Sequence, residues 1–241
     1  MKKALLALFG AGVVASLASF AVAQDSNAVN SANAVGVVKY TIPADAELTC
    51  ISLPLHPMDT SDDQGRWVFG DTAICEQLDV GSSVYFWSGT SWSTFQKRKV
   101  GNNIRWTGGV TNRVVESGEA IFVKGPAGAE AKTISLLGEL PTEGTLSYAL
   151  TGSSNLDTRA VSMYPVEVTF GNTELEAALP VNSSIYFWSG TSWNTFQKRK
   201  VGNNIRWTGG VTNRVVKVGE GVFVKSSGDA DTVTQVRPFD W

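Results

Sequence analysis

The stretch Ser82–Val115, SSVYFWSGTSWSTFQKRKVGNNIRWTGGVTNRVV, occurs a second time as Ser183–Val216, SSIYFWSGTSWNTFQKRKVGNNIRWTGGVTNRVV. The copies differ only at Val84/Ile185 and Ser93/Asn194, so 32 of 34 positions are identical. Within the block, SVYFW, SWSTFQKRKV and NIRWT alternate apolar or aromatic residues with polar ones. Ser88-Gly89-Thr90, Gly101-Asn102-Asn103 and Gly108-Gly109 separate them. Alternation with period two, in segments rich in β-branched and aromatic side chains, marks strands divided by turns. A block of strands that recurs along the chain defines two similar units.

Outward from the block the repeat continues weakly. VKYTIPADAELTCISLPLHP (Val38–Pro57) aligns with LSYALTGSSNLDTRAVSMYP (Leu146–Pro165). Only Tyr40/Tyr148, Leu48/Leu156 and Pro57/Pro165 are identical there, yet the apolar alternation agrees. FGDTAICEQL (Phe69–Leu78) then matches FGNTELEAAL (Phe170–Leu179), and the extra residues of the first unit fall in the acidic stretch Asp59–Gly65. After the blocks, TISLLG (Thr133–Gly138) corresponds to TVTQVR (Thr232–Arg237). VVKYTIP, LTCISLPL and EAIFVK read as further strands. TAICEQL and TELEAAL follow Asp71 and Asn172, which suit an N-cap, and read as a helical turn or two. The expected class is all-β, with one minor short helix per repeat. Two tandem antiparallel repeats, barrel- or sandwich-like, span 35–138 and 139–241.

Two segments precede them. Lys2 and Lys3, the apolar run Ala4–Phe20 and the small-x-small Ala21-Val22-Ala23 have the form of a signal peptide over 1–23. The apolar run is short for a membrane span. Gln24–Ala34 is polar and small, and residues 24–34 read as a disordered leader. The expectation is export to the periplasm, cell surface or extracellular medium, with no transmembrane span once the signal is removed. In an oxidising compartment Cys50 and Cys75 are expected to form a disulfide, two free buried thiols being the alternative.

ISLPL, a short helix, GSSVYFWSG and then GEAIFVKG or GEGVFVK make a pattern that resembles secreted two-repeat β proteins of environmental Gram-negative bacteria. Those share an aromatic "vY-W" strand and a "pGEGfFV" strand in each repeat. The resemblance implies the fold and the export, and it carries no catalytic residue.

Catalysis has little to stand on. The single histidine, His56, lies between prolines and is Tyr164 in the second unit. No serine occupies a G-x-S-x-G elbow and no Cys/His spacing suits a metal, so no cofactor is expected. Glu119 and Glu220 recur in Gly-Glu pairs and are the one candidate for a glycosidase couple, although a structural role at a strand entry is the stronger reading. Asp59–Gly65 has carboxylates that calcium would accept, but it lacks the alternate-residue spacing of an EF-hand loop and reads as a solvated acidic loop.

The informative feature is charge segregation. Each block carries Lys97, Arg98, Lys99, Arg105 and Arg113, or Lys198, Arg199, Lys200, Arg206 and Arg214, and neither contains an acid. The two blocks thus hold ten of the 20 basic residues and none of the 22 acids. In a strand, Lys97 and Lys99 share one face while Arg98 points to the other. A strand covered on both faces would bury some of these charges at high cost. Gln96–Arg105 is therefore expected to leave the core as a two-stranded ribbon with its tip at Gly101-Asn102-Asn103. Trp87, Trp92 and Trp106, with Trp188, Trp193 and Trp207, read as packing at its base, or as stacking and cation–π partners.

These features point to an exported, non-catalytic protein whose two basic aromatic ribbons bind an anionic polysaccharide, another polyanion or an anionic surface. The alternative is a self-assembling structural subunit, in which the ribbon of one copy docks on the acidic remainder of the next. A secreted hydrolase is the third reading. The bland one is a pair of solvated edges guarded by Lys and Arg.

Overall fold

A computed structural model describes residues 34–152 and 155–239. The expected signal peptide, residues 24–33 of the leader and the last two residues lie outside them. The first repeat runs β1 Val35–Ile42, β2 Leu48–Ser52, β3 Trp67–Val68, α1 Ala73–Gln77, β4 Ser83–Trp87, β5 Trp92–Val100, β6 Asn103–Trp106, β7 Val114–Val115, β8 Ala120–Lys124 and β9 Lys132–Glu139. The second follows the same order: β10 Thr145–Leu150, β11 Asp157–Ala160, β12 Val168–Thr169, α2 Glu174–Ala178, β13 Ser184–Trp188, β14 Trp193–Val201, β15 Asn204–Trp207, β16 Val215–Val216, β17 Gly221–Lys225 and β18 Asp231–Val236. The fold is mostly β, as the alternation predicts.

Each repeat is tied end to end, β1 pairing antiparallel with β9 and β10 with β18. Its body is a five-stranded antiparallel sheet, β2-β8-β4-β5-β6 or β11-β17-β13-β14-β15. Period-two alternation aims Ile51, Val84, Phe86, Ile121 and Val123 at one face of the first sheet. There they meet Val38, Tyr40 and Ile42 of β1, Ile134 and Leu136 of β9, and Ile74 of α1 in one buried cluster. The second repeat buries the corresponding set around Ile185, Phe187, Val222 and Val224. Among the described residues no helix is long and apolar enough to cross a membrane.

The helices form where expected, with one change at their starts. Thr72, not Asp71, caps α1, its Oγ1 accepting from Cys75 N at 3.1 Å, and Thr173 caps α2 by accepting from Glu176 N at 3.2 Å. Asp71 lies in a 3-10 turn and accepts instead from the Ser61 backbone N–H and hydroxyl. Asp62 of the acidic loop is likewise committed to the protein itself. Arg66 donates to Asp62 from Nε at 3.0 Å and Nη2 at 2.9 Å, which holds that carboxyl down at about 2.

The other face of each sheet is also buried, against the other repeat. Cys50, Ala120, Phe122 and Phe223 form a cluster flanked by Leu48, Tyr85, Trp87, Leu156, Tyr186 and Trp188. Phe122 stacks on Phe223 with centroids 5.8 Å apart. The principal polar contacts in the seam occur twice with the repeats exchanged, as in an isologous interface. Trp87 Nε1 donates to Leu156 O at 2.5 Å and Trp188 Nε1 to Leu48 O at 2.7 Å. Ser52 N donates to Gly219 O and Ala160 N to Gly118 O, both at 2.8 Å. Both glycines have positive φ, and a Cβ on Gly118 would enter the Tyr148 ring and one on Gly219 the Tyr40 ring. The seam therefore requires glycine twice at each position, for backbone and for space.

The expected disulfide does not form, and both cysteines are free and buried. Parity is the reason. Cys50 precedes Ile51 on β2 and so faces the seam, whereas Cys75 on α1 packs into the core on the opposite side of the sheet. A whole strand layer separates them.

Two outcomes follow. Both thiols should titrate in denaturant without reductant and react slowly in the native protein, since burial pushes each thiol above its ordinary value; finding no titratable thiol there would contradict this arrangement. Phe122→Ala should cost about 3–5 kcal/mol by calorimetry, the usual loss for a buried phenylalanine, and should lower the melting of both repeats together.

Candidate functional site

The basic residues of each block lie on or beside one hairpin. β5 pairs with β6 through Lys97↔Trp106, Arg98↔Arg105, Lys99↔Ile104 and Val100↔Asn103, leaving the two-residue loop Gly101–Asn102. Gly101 has φ +62°, and glycine at the first loop position is what a type II′ hairpin turn needs. The ribbon predicted from sequence is thus present, with its tip at the predicted place. β14 and β15 repeat it residue for residue.

The base of the hairpin is anchored in the core. Phe95 lies edge-on to Phe86 at 6.1 Å, and Trp106 edge-on to Phe69 at 5.2 Å. Beyond that anchor the ten cations separate into two groups.

Lys97 turns inward. Its Nζ donates to Cys75 O, Glu76 O and Leu78 O at 2.8–2.9 Å and lies 6.0 Å from the Trp106 ring centroid. A helix leaves its last carbonyls without partners, and a cation suits that negative end. Trp106 Nε1 adds a bond to Cys75 O at 3.3 Å. In the second repeat Lys198 meets Glu176 O at 2.8 Å and the Glu176 carboxylate at 3.0 Å, while Trp207 donates to that carboxylate at 2.7 Å. Arg113 and Arg214 are also internal. Arg113 Nη2 bonds Glu119 Oε1 at 2.9 Å over the Phe86 ring, and Arg214 Nη2 bonds Glu220 Oε1 at 2.6 Å over Phe187. Glu119 and Glu220 each accept a further backbone N–H, from Glu116 and Lys217. The two carboxylates of the glycosidase reading are therefore held within their own turns. Burial pushes the Glu119 carboxyl up and Arg113 draws it back.

The second group is Arg98, Lys99 and Arg105, with Arg199, Lys200 and Arg206, and all six are exposed. Arg98 Nε donates to Gln96 Oε1 at 2.7 Å, as Arg199 Nε does to Gln197 Oε1. Among the described residues, none of the six has an acidic partner. Arg98 and Arg105 stand directly opposite in the ladder, and like charges so placed weaken a hairpin.

The tryptophans also divide. Trp106 and Trp207 serve the helix ends, and Trp87 and Trp188 the seam. Trp92 and Trp193 sit at the rim of the seam, each edge-on or tilted against Phe122 and Phe223 at 5.0–5.6 Å. They remain 41% and 37% exposed. Phe122 and Phe223 carry the seam and were absent from the sequence-predicted set. Their signal was parity: with Ile121 and Val123 facing the core, Phe122 falls on the other face beside Tyr85 and Trp87.

Fold and site together define a two-repeat all-β protein that presents two identical basic hairpins. No family model, no curated protein and no solved structure matches the chain.

Substitution separates the two groups of cations. Lys97→Gln should lower stability by about 1–2 kcal/mol, because it strips charged donors from three carbonyls. Arg98→Gln should leave stability within about 0.5 kcal/mol or raise it slightly by relieving the Arg98–Arg105 pair. Denaturant titrations of the two variants check this, and the reverse ranking would refute the division.

Proposed function

We propose that this is an exported, non-catalytic binding protein that takes anionic polymers or surfaces on its two basic hairpins. The observation that supports it most is the Arg98–Arg105 pair with Lys99 beside it, present again as Arg199–Arg206 with Lys200. Three exposed cations without acidic partners, two of them directly opposed, form a concentration of positive charge that costs hairpin stability. An anion laid across the ladder would offset that cost, and arginine forks suit the paired oxygens of carboxylates, sulfates and phosphates. Rigid β-structure with an anchored base holds the charges in place, so little ordering accompanies binding.

Self-assembly through the hairpins is a weaker reading. Among the described residues the outer edges of β6 and β15 lack a neighbouring strand, which invites pairing with another copy. Two such edges would bring two arginine rows together, and their repulsion opposes it.

Binding of dextran sulfate in a salt series tests the proposal. Affinity should fall steeply as salt rises, because each neutralised anionic charge releases a counterion. Replacing Arg98, Lys99 and Arg105 by Gln should weaken binding about tenfold or more by removing avidity, and the same change in both repeats should abolish it. Lys97→Gln, which removes a base anchor and no exposed charge, should weaken binding far less than the triple change. Salt-independent binding, or full binding by the six-fold variant, would refute the hairpin reading.

A further inference from the structure

The hairpin tips carry a feature that a water-soluble polyanion does not call for. Val100 is 46% exposed and Ile104 57%, and Val201 and Ile205 repeat this at 46% and 56%. Residues paired across an antiparallel ladder, and residues two apart along a strand, share a face. Val100 therefore lies on the face of Arg98 and Arg105, and Ile104 lies on the opposite face with Lys99. Each tip shows one apolar side chain on each face, with Arg98 and Arg105 immediately behind Val100 and Lys99 directly across from Ile104. Along the Val100 face the hairpin runs from an apolar tip to a charged base.

We infer that the two tips dock end-on into an anionic lipid surface, Val100 and Ile104 entering the boundary between headgroups and acyl chains while Arg98, Lys99 and Arg105 meet the phosphates. The inference rests on the anion-binding reading and names its partner. Two strand residues span about 7 Å, so Arg98 and Arg105 trail Val100 by a distance that matches the roughly 5–10 Å to which interfacial elements sink, while Lys99, level with Ile104, reaches back along its apolar stem. The two-residue loop keeps the tip narrow, and the ladder stays paired as far as Val100↔Asn103. A negatively charged leaflet draws basic segments to its surface, and apolar depth lies just beneath that charge. A second copy of the chain offers no such combination, since tip-to-tip contact would bring two basic collars together.

Co-sedimentation with vesicles tests this, using phosphatidylcholine alone and phosphatidylcholine mixed with phosphatidylglycerol. The protein should sediment with the anionic vesicles and not with the neutral ones. Changing Val100, Ile104, Val201 and Ile205 together to Ser should weaken vesicle binding about tenfold or more, while dextran sulfate binding and melting temperature stay unchanged. Changing the six exposed cations to Gln should abolish both kinds of binding. Undiminished vesicle binding by the tip variant overturns the inference. So does wild-type protein that binds dextran sulfate but no vesicle, an outcome that leaves the anion-binding reading standing. Protein that binds neither overturns both. Tip-dependent oligomers seen by light scattering without vesicles overturn it in favour of a second copy.

Discussion

The stacking of Phe122 on Phe223 gives each five-stranded sheet a second buried face, and the rest of the molecule is arranged around that condition. A sheet covered on one side only would place its alternate residues in water. Here the alternate residues are Leu48, Cys50, Tyr85, Trp87 and Phe122, which water would not favour, and a second sheet of the same kind covers them. Each repeat supplies the other's missing layer. The hairpins, at the far edge of each sheet from β2 and β11, lie beyond this double cover, and there the charges collect.

The seam's polar contacts are made chiefly to the backbone. Trp87 and Trp188 donate across it to the carbonyls of Leu156 and Leu48, while Tyr40 and Tyr148, packed on Gly219 and Gly118 of the other repeat, donate within their own repeats to those of Ser52 and Ala160. A backbone acceptor is indifferent to the side chain that carries it. This lets Val38–Pro57 and Leu146–Pro165 diverge almost completely while the exchanged contacts persist. Two of the three identities between those segments, tyrosine and leucine, sit at these contacts. What the seam needs from side chains it takes chiefly from the near-identical blocks and from Phe122 and Phe223 after them, with the glycines leaving room for the tyrosines.

Much of the fold was legible in the sequence because it rests on local rules. Period-two alternation placed the strands, the glycines placed the turns, and cations on both faces of one strand identified the hairpin and its tip. What stayed hidden depended on long-range placement. The cysteines could not be assigned to opposite sides of the sheet until it was known that both faces are buried. In the site, Lys97 and Lys99 look equivalent in the string KRK, yet Lys97 reaches three carbonyls at the C-terminal end of α1 and its cap, some twenty residues earlier. Arg113 and Arg105 likewise differ only through Glu119, whose carboxylate is within reach of one. The spacing of charges was readable, and their neighbours were not.

The division has a physical logic that bears on the hairpin's rigidity. Lys97 and Trp106 are cross-strand partners at the point where the hairpin leaves the body, and both bond to the carbonyl of Cys75. A two-stranded ribbon in water is marginal by itself. Fastened on both strands to one helix end, it can carry an opposed pair of arginines that a free ribbon would be poorly placed to tolerate. The inward lysine thus makes the outward cations possible, and in the second repeat Glu176 strengthens the same fastening by receiving both Lys198 and Trp207 on its carboxylate. The two hairpins are identical in sequence but differ in how they are held, through a helix residue that lies outside the block.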